Sequence, residues 1–324
     1  MPPASITKIM SLLLVMEAME QGSFTKETVL TCSETAAKLG GSQIWLEPGE
    51  QMTVDDLLKA VFVVSANDAT VLLAETVAGS EESFVALMNQ KAEKLGLSNT
   101  HFQNATGLDA PDHYSSAYDI AVMAKELMKY QTVTDYTTIW MDTLRGGESE
   151  LVNTNRLVRF FEGCTGLKTG TTSTAGYCLC ATATRNGLYL ISVVLNSASS
   201  SDRFNDCQKL LNFGFANYGY VIKTPEIEQN FIAVKKGVKK QVEIMPENDF
   251  SALIKKSDAN KITSEIQIMG SITARVEKGS VVGKAEYFID GESIGFVNIV
   301  TKEDCDKLGV GKAFLFVVKS LFSL

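Results

Sequence analysis

The chain has 324 residues, 45% hydrophobic and 21% charged, the composition of a folded globular protein long enough for two domains. Its 38 acidic residues against 30 basic ones give a net charge of −8, which excludes an extended basic surface for nucleic acid. Two histidines twelve apart, His101 and His113, and six cysteines without a CxxC pair leave no zinc, iron–sulfur or thioredoxin-like pattern.

Ser5 to Met19 reads as a helix stopped by Gly22, and the run Leu12 to Val15 is apolar on nearly every face, which predicts a helix buried at the centre of a domain. Gly40 to Glu50 is turn-rich loop, in which Trp45 and Leu46 call for a partner surface; Gly40, Gly41 and Trp45 lie between the first two motif helices and are candidates to line a cleft, with packing the favoured reading for Trp45. Thr53 with Asp56 opens the next helix, followed by helices from Asn67 or Asp68 to Val77, from Ser80 to Leu95, and from Ser116 with Asp119 to about Tyr130. Between the last two, His101 to Tyr114 is polar loop.

Beyond these helices the pattern turns to strands. Gly176 to Thr184 and Leu188 to Leu195 are joined by Arg185-Asn186-Gly187, a strong hairpin signal, and Ser201 to Tyr218 returns to helix. Cys178 and Cys180 sit two apart on one strand, facing one side, which is poor geometry for a mutual disulfide. From about Tyr220, short apolar runs recur at 231–234, 241–245, 262–269, 285–289 and 293–300, with Asp290-Gly291 as a further hairpin turn. The expected organisation is an α+β domain over residues 1–219, in which an antiparallel sheet joins a helical block, then a small all-β domain over 220–306 and an amphipathic tail over 307–324. Lys312 to Leu324 is apolar but too short to cross a bilayer, which leaves it to pack on its own domain or to lie in a membrane interface.

Three short motifs carry chemistry. Ser5-Ile6-Thr7-Lys8 puts a hydroxyl and an amine on one helical face, where a neutral lysine takes the serine proton; burial and nearby positive charge are what keep a lysine neutral. Ser23-Phe24-Thr25-Lys26 has the same spacing, but only Ser5 opens a strongly apolar helix, behind Pro2 and Pro3. Ser65-Ala66-Asn67 lies between two helices; Ser65 is a candidate proton relay and Asn67 a candidate to hold Lys8 and the substrate backbone, whereas read alone both would merely cap the next helix. Lys168-Thr169-Gly170-Thr171 precedes a strand, offering Lys168, Thr169 and Thr171 to a carboxylate and Gly170 for close approach of a backbone. The backbone N–H groups of Ser5 and Thr171 are the candidate oxyanion pair.

The order SxxK, SxN, KTG is that of penicillin-binding proteins and class A β-lactamases. The segments PPASITKIM, GGSQIWLEPGEQMTVDDLLKAVFVVSANDATVLLAE, NTHFQNATGLDAPDHYSSAYDIAVMA and GLKTGTTSTAGYCL closely resemble the low-molecular-mass D-alanyl-D-alanine carboxypeptidases, over residues 2 to 218 and more weakly through the β domain. The resemblance implies a penicillin-binding/β-lactamase-like transpeptidase domain. Ser5 would be the acylated residue, Lys8 the base, Ser65 and Asn67 the second element, and Lys168 with Thr169 the carboxylate site. It also implies peptidoglycan stem peptides ending in D-Ala-D-Ala as substrate, β-lactams as acylating inhibitors, no metal or organic cofactor, a place outside the plasma membrane, and a tail that touches the membrane. Such proteins carry a leader, a helix and strands before the serine, whereas four residues precede Ser5 here and no signal peptide is visible, so the expectation is an incomplete N-terminus.

Two alternatives accompany this reading. A β-lactamase needs a glutamate-directed water, but no asparagine lies four residues after Glu148 or Glu150. A catalytically inactive cell-wall-binding homologue would follow from the short start. The histidines are read as loop hydrogen-bonders, Arg185 as a solvated turn residue, Arg203 as half of a structural ion pair, and Asp109 and Asp112 as no metal site.

Overall fold

In a computed structural model of the chain, residues 1–309 and 311 are described, so the apolar tail from Lys312 lies outside the described residues. Two units are present, Met1–Phe215 and Ala216–Leu324.

The N-terminal unit is built around helix α1 (Lys8–Glu20), buried on all sides from Lys8 to Met16, as its unbroken apolar sequence requires. A 3₁₀ turn, Ala4–Thr7, leads into it. Around it stand α2 (Val54–Val63), α3 (Asn67–Ala78), α4 (Glu81–Lys94), α5 (Ala117–Leu127) and α6 (Gln131–Thr137). Three of these start where short polar residues halt the chain: the Thr53, Ser80 and Ser116 hydroxyls each accept the amide three residues on, at 3.1 Å. The helix expected to reach Tyr130 instead ends at Leu127, and the chain restarts as α6.

Strands β1 (Cys164–Thr172), β2 (Gly176–Arg185) and β3 (Leu188–Ser197) form an antiparallel sheet in that order. Asn186 and Gly187 turn β2 into β3 with φ of 49° and 77°, the pair of left-handed residues a two-residue hairpin requires. β2 is the central strand, and its alternation feeds two cores. Cys178 and Cys180 face the helical block, whereas Leu179, Ala181 and Ala183 pack with Phe204, Cys207 and Leu211 of α7 (Ser200–Asn217). All six cysteines are free thiols.

The C-terminal unit is all-β. A six-stranded sheet runs in the order 262–268, 281–289, 292–301, 241–246, 231–235, 271–273, antiparallel except for its last pair. A second pair joins Tyr218–Lys223 to Phe250–Lys255. Asp290 and Gly291, at φ 52° and 86°, repeat the hairpin geometry. Phe250 stacks on Tyr287 at 4.0 Å between ring centroids. The strands at 218–223, 250–255 and 271–273 were not legible: the first buries none of its residues fully and the last is three residues long.

Phe62 is 1% exposed and stacks on Tyr136 in the α2–α6 contact. Phe62→Ala is expected to destabilise the N-terminal unit by about 3–5 kcal/mol, read as a lower denaturant midpoint of the transition reporting that unit.

Candidate active site

Ser5 sits in the 3₁₀ turn, and Lys8 follows one turn later at 0% exposure. The Lys8 Nζ donates to Ser5 Oγ at 3.0 Å, to Asn67 Oδ1 at 2.6 Å and to Thr106 O at 2.8 Å, so every proton of an ammonium has an acceptor. Burial holds its pKa well below that of an ordinary lysine; the charge of Lys168 adds to this and Asp68 opposes it. Asp68, fully buried beside Asn67, accepts the backbone N–H groups of Ile44 and Leu46 at 3.1 and 3.0 Å. The second match to the first motif is unlike this: Ser23 is exposed, and Lys26 lies over the Tyr136 ring.

The second motif bridges α2 and α3. Neither of its side chains caps α3, whose N-cap is Ala66 with no side-chain bond. Instead Asn67 is spread between Lys8 and Gly40 O, to which its Nδ2 donates at 2.6 Å, while its backbone N–H donates to Ser42 O at 2.7 Å. Ser65 is held at φ 66° and is 3% exposed, and its Oγ has no hydrogen-bond partner among the described residues. A strained backbone and an orphaned buried hydroxyl in one residue is a combination found at functional sites.

The third motif occupies β1. Lys168 is 1% exposed, with one long hydrogen bond, 3.4 Å to Thr169 O, among the described residues. Burial, then the charge of Arg203, brings its pKa down to about 7. Thr169 Oγ1 donates to Thr154 Oγ1 at 2.8 Å. Gly170 lies against the serine turn: a Cβ there would stand 2.8 Å from Pro3 O and 3.1 Å from both Ala4 Cβ and Ser5 N. The structure therefore brings Ser5, Lys8 and Asn67 into direct contact and sets the Gly170 edge of β1 against them.

Arg203 departs from expectation. It makes no ion pair among the described residues; its Nη1 donates to Gly170 O at 3.0 Å and Thr171 Oγ1 at 2.9 Å, while its guanidinium lies over Phe204 and Tyr177. An arginine advertises its charge in the sequence but not the carbonyls it will bind. Arg185 is likewise no free turn residue, since it covers the rings of Phe161 and Phe215 and donates to Glu162 O.

The loop at 102–115 contributes more than its sequence revealed. Thr106 O accepts a hydrogen bond from Lys8 Nζ, Ala105 O accepts from Ser11 Oγ at 2.6 Å, and Asp109 accepts from Thr172 Oγ1 at 2.7 Å. His113 Nδ1 accepts the Gln103 N–H at 3.1 Å, which leaves Nε2–H to donate to Thr7 Oγ1 at 2.8 Å. Burial lowers the His113 pKa to about 4, so this neutral clasp persists at physiological pH. Main-chain acceptors leave no mark in residue type; the one legible sign was Gly107, at φ 85°, where a Cβ would run into the Ala4 carbonyl.

A serine turn braced by a buried lysine, flanked by a Ser-x-Asn corner and a Lys-Thr-Gly strand on a helix-and-sheet scaffold, defines the class of penicillin-binding serine transferases. The family profile described as D-alanyl-D-alanine carboxypeptidase matches residues 1–199, and that of the penicillin-binding protein 5 C-terminal domain matches 227–307. The chain belongs to the low-molecular-mass D-alanyl-D-alanine carboxypeptidases, a family of penicillin-binding serine peptidases. It is 44% identical to D-alanyl-D-alanine carboxypeptidase DacF of Bacillus subtilis over 95% of this chain and 80% of that protein. It is 35% identical to DacC of Escherichia coli, over 98% and 81%. Penicillin-binding protein 5 of Haemophilus influenzae superposes with a TM-score of 0.74 at 33% identity, covering 95% of this chain and 91% of that one.

Gly170→Ala is expected to push the serine turn and β1 apart and to slow acylation by benzylpenicillin by at least about tenfold, with the fold retained by circular dichroism.

Proposed function

We propose that the protein is a serine-type D-Ala-D-Ala carboxypeptidase that acts through an acyl-enzyme on Ser5, with Lys8 as base. The observation that carries this reading is the Lys8 bonding pattern. Once neutral, the amine keeps two N–H bonds, to Asn67 Oδ1 and Thr106 O, and its lone pair faces Ser5 Oγ. A base oriented this way needs no histidine.

In the reaction, Ser5 Oγ attacks the carbonyl of the penultimate D-alanine and Lys8 takes its proton. The N–H groups of Ser5 and Thr171 hold the oxyanion. Ser65, whose hydroxyl has no partner among the described residues, passes a proton to the departing nitrogen. Lys168, with Thr169, Gly170 and Thr171, receives the terminal carboxylate. D-Alanine leaves, and water cleaves the ester and returns the proton to Ser5. The substrate is the peptidoglycan stem pentapeptide, and penicillins acylate the same serine because they present a strained carbonyl near a carboxylate. Glu148 and Glu150 both face solvent, which favours this reading over a glutamate-directed β-lactamase.

The place of action is the wall side of the plasma membrane, where this substrate lies. Among the described residues no helix is long and apolar enough to cross a membrane. The apolar sequence from Lys312 to Leu324 supports peripheral contact with the bilayer surface.

Brief exposure to benzylpenicillin is expected to add one equivalent of mass to the wild-type chain and none to Ser5→Ala, by intact-protein mass spectrometry. The acylation rate should be bell-shaped in pH, because Lys8 must be neutral and Lys168 charged. The acid limb is Lys8 regaining its proton, and the alkaline limb falls near pH 7 as Lys168 loses its own. Lys168→Arg, whose charge persists, is expected to lower the rate while removing the alkaline limb and leaving the acid limb in place.

A further inference from the structure

The loop at 40–50 holds a tryptophan in an unexpected state. Trp45 is 75% exposed between Ile44 and Leu46, which are 5% and 3% exposed. Its backbone is left-handed, φ 59°, a conformation unusual for so bulky a residue. Both flanks are pinned: Asp68 accepts the N–H groups of Ile44 and Leu46, and Arg145 Nη1 donates to Ile44 O at 3.0 Å. Arg145 is itself fixed by Glu50, through Nε at 2.7 Å and Nη2 at 3.1 Å. Other exposed aromatics, among them Tyr118, Phe160 and Phe213 on helices and Tyr220, Phe231 and Phe296 on strands, face outward without a left-handed backbone. At Trp45 the fold spends backbone strain to hold an indole in water.

Beside the indole is a cavity of about 360 Å³ lined by Trp45, Glu47, Pro48, Glu50 and Arg145. We infer that Trp45 and this cavity form a saccharide subsite, in which the indole stacks under one sugar ring of the substrate while Arg145, Glu47 and Glu50 bind its hydroxyl and amide groups. This rests on the carboxypeptidase reading, since the sugar is the one to which the stem peptide is attached. A flat apolar face edged by a few polar groups suits a pyranose ring. The acidic rim disfavours an anionic membrane, and one tryptophan is far too small a surface for a second copy of the chain.

Reach agrees with this. Asn67, which holds Lys8, donates its backbone N–H to Ser42 O, three residues before Trp45, a span of at most about 11 Å. The four peptide units between the scissile carbonyl and the sugar extend to about 14 Å.

The test compares wild type, Trp45→Ala and Trp45→Phe on a disaccharide-pentapeptide and on the same pentapeptide without sugar. Trp45→Ala is expected to reduce kcat/KM on the disaccharide-pentapeptide about tenfold through KM, with Trp45→Phe restoring much of it. Hydrolysis of the bare peptide and acylation by benzylpenicillin should not change. Equal rates of the wild type on the two substrates, or an equal loss on both in the variant, would overturn the proposal. A second readout is independent of hydrolysis: the peptide-free disaccharide should shift the indole N–H resonance of Trp45, assigned with Trp45→Phe, and leave that of Trp140. If that shift occurs but no pentapeptide is cleaved, the subsite stands and the carboxypeptidase reading fails. No shift at millimolar disaccharide, or a shift with lipid vesicles or protein concentration instead, sinks the subsite.

Discussion

The N-terminal unit is organised around a lysine that has been taken out of water. Moving an ammonium into a protein interior is costly, and the cost shrinks when the group sheds its proton or finds acceptors for all of its hydrogens. Lys8 has both routes, because its three acceptors come from three separate stretches of chain: the serine turn, the start of α3, and the loop at 102–115. That loop can reach Lys8 only because Gly107 allows it to lie on the Ala4 carbonyl, and because His113 clasps Thr7 from the other side. A large part of the helical block is thus arranged to hold one nitrogen in place.

The opposite wall is built by a different economy. Lys168 is as deeply buried as Lys8 but has little to bond with among the described residues, and the charge that bears on it is that of another cation, Arg203. A buried ammonium with so few acceptors is a standing demand for an anion. Arg203 answers the backbone's needs instead, since it spends its Nη1 donors on Gly170 O and Thr171 Oγ1 and so stiffens the strand that carries Lys168. The two lysines differ less in burial than in company, and that difference separates a group suited to losing a proton from one suited to gripping a carboxylate.

Much of this was written locally. The buried character of α1, the Ser and Thr caps and the Asn186-Gly187 and Asp290-Gly291 turns each depend on a few adjacent residues, and those elements are found where they were read. The motifs were legible because three of them stand together in one order; a lone Ser-x-x-Lys, such as Ser23 to Lys26, says nothing. What failed depends on partners distant in sequence. For Trp45 packing was favoured over lining the cleft because an indole is apolar, but the clamp by Asp68 and Arg145 that turns it outward joins residues 23 and 100 positions away. Arg203 was given an ion pair because charge is visible and carbonyl placement is not. Thr106 could not be singled out at all, since any residue has the oxygen it supplies.

Gly107 and Gly170 come to the serine turn from unconnected parts of the chain, and each is packed where a methyl group has no room. The reactive turn is therefore gripped by bare main chain on two sides, like a blade between jaws. Main-chain atoms are the same whatever the side chains nearby become, so the neighbourhood is free to drift in sequence while the position of the hydroxyl stays fixed. The two residues without side chains are then constrained although they carry no reactive group, and a lineage that alters its substrate preference has to do so at the rim and leave the jaws alone.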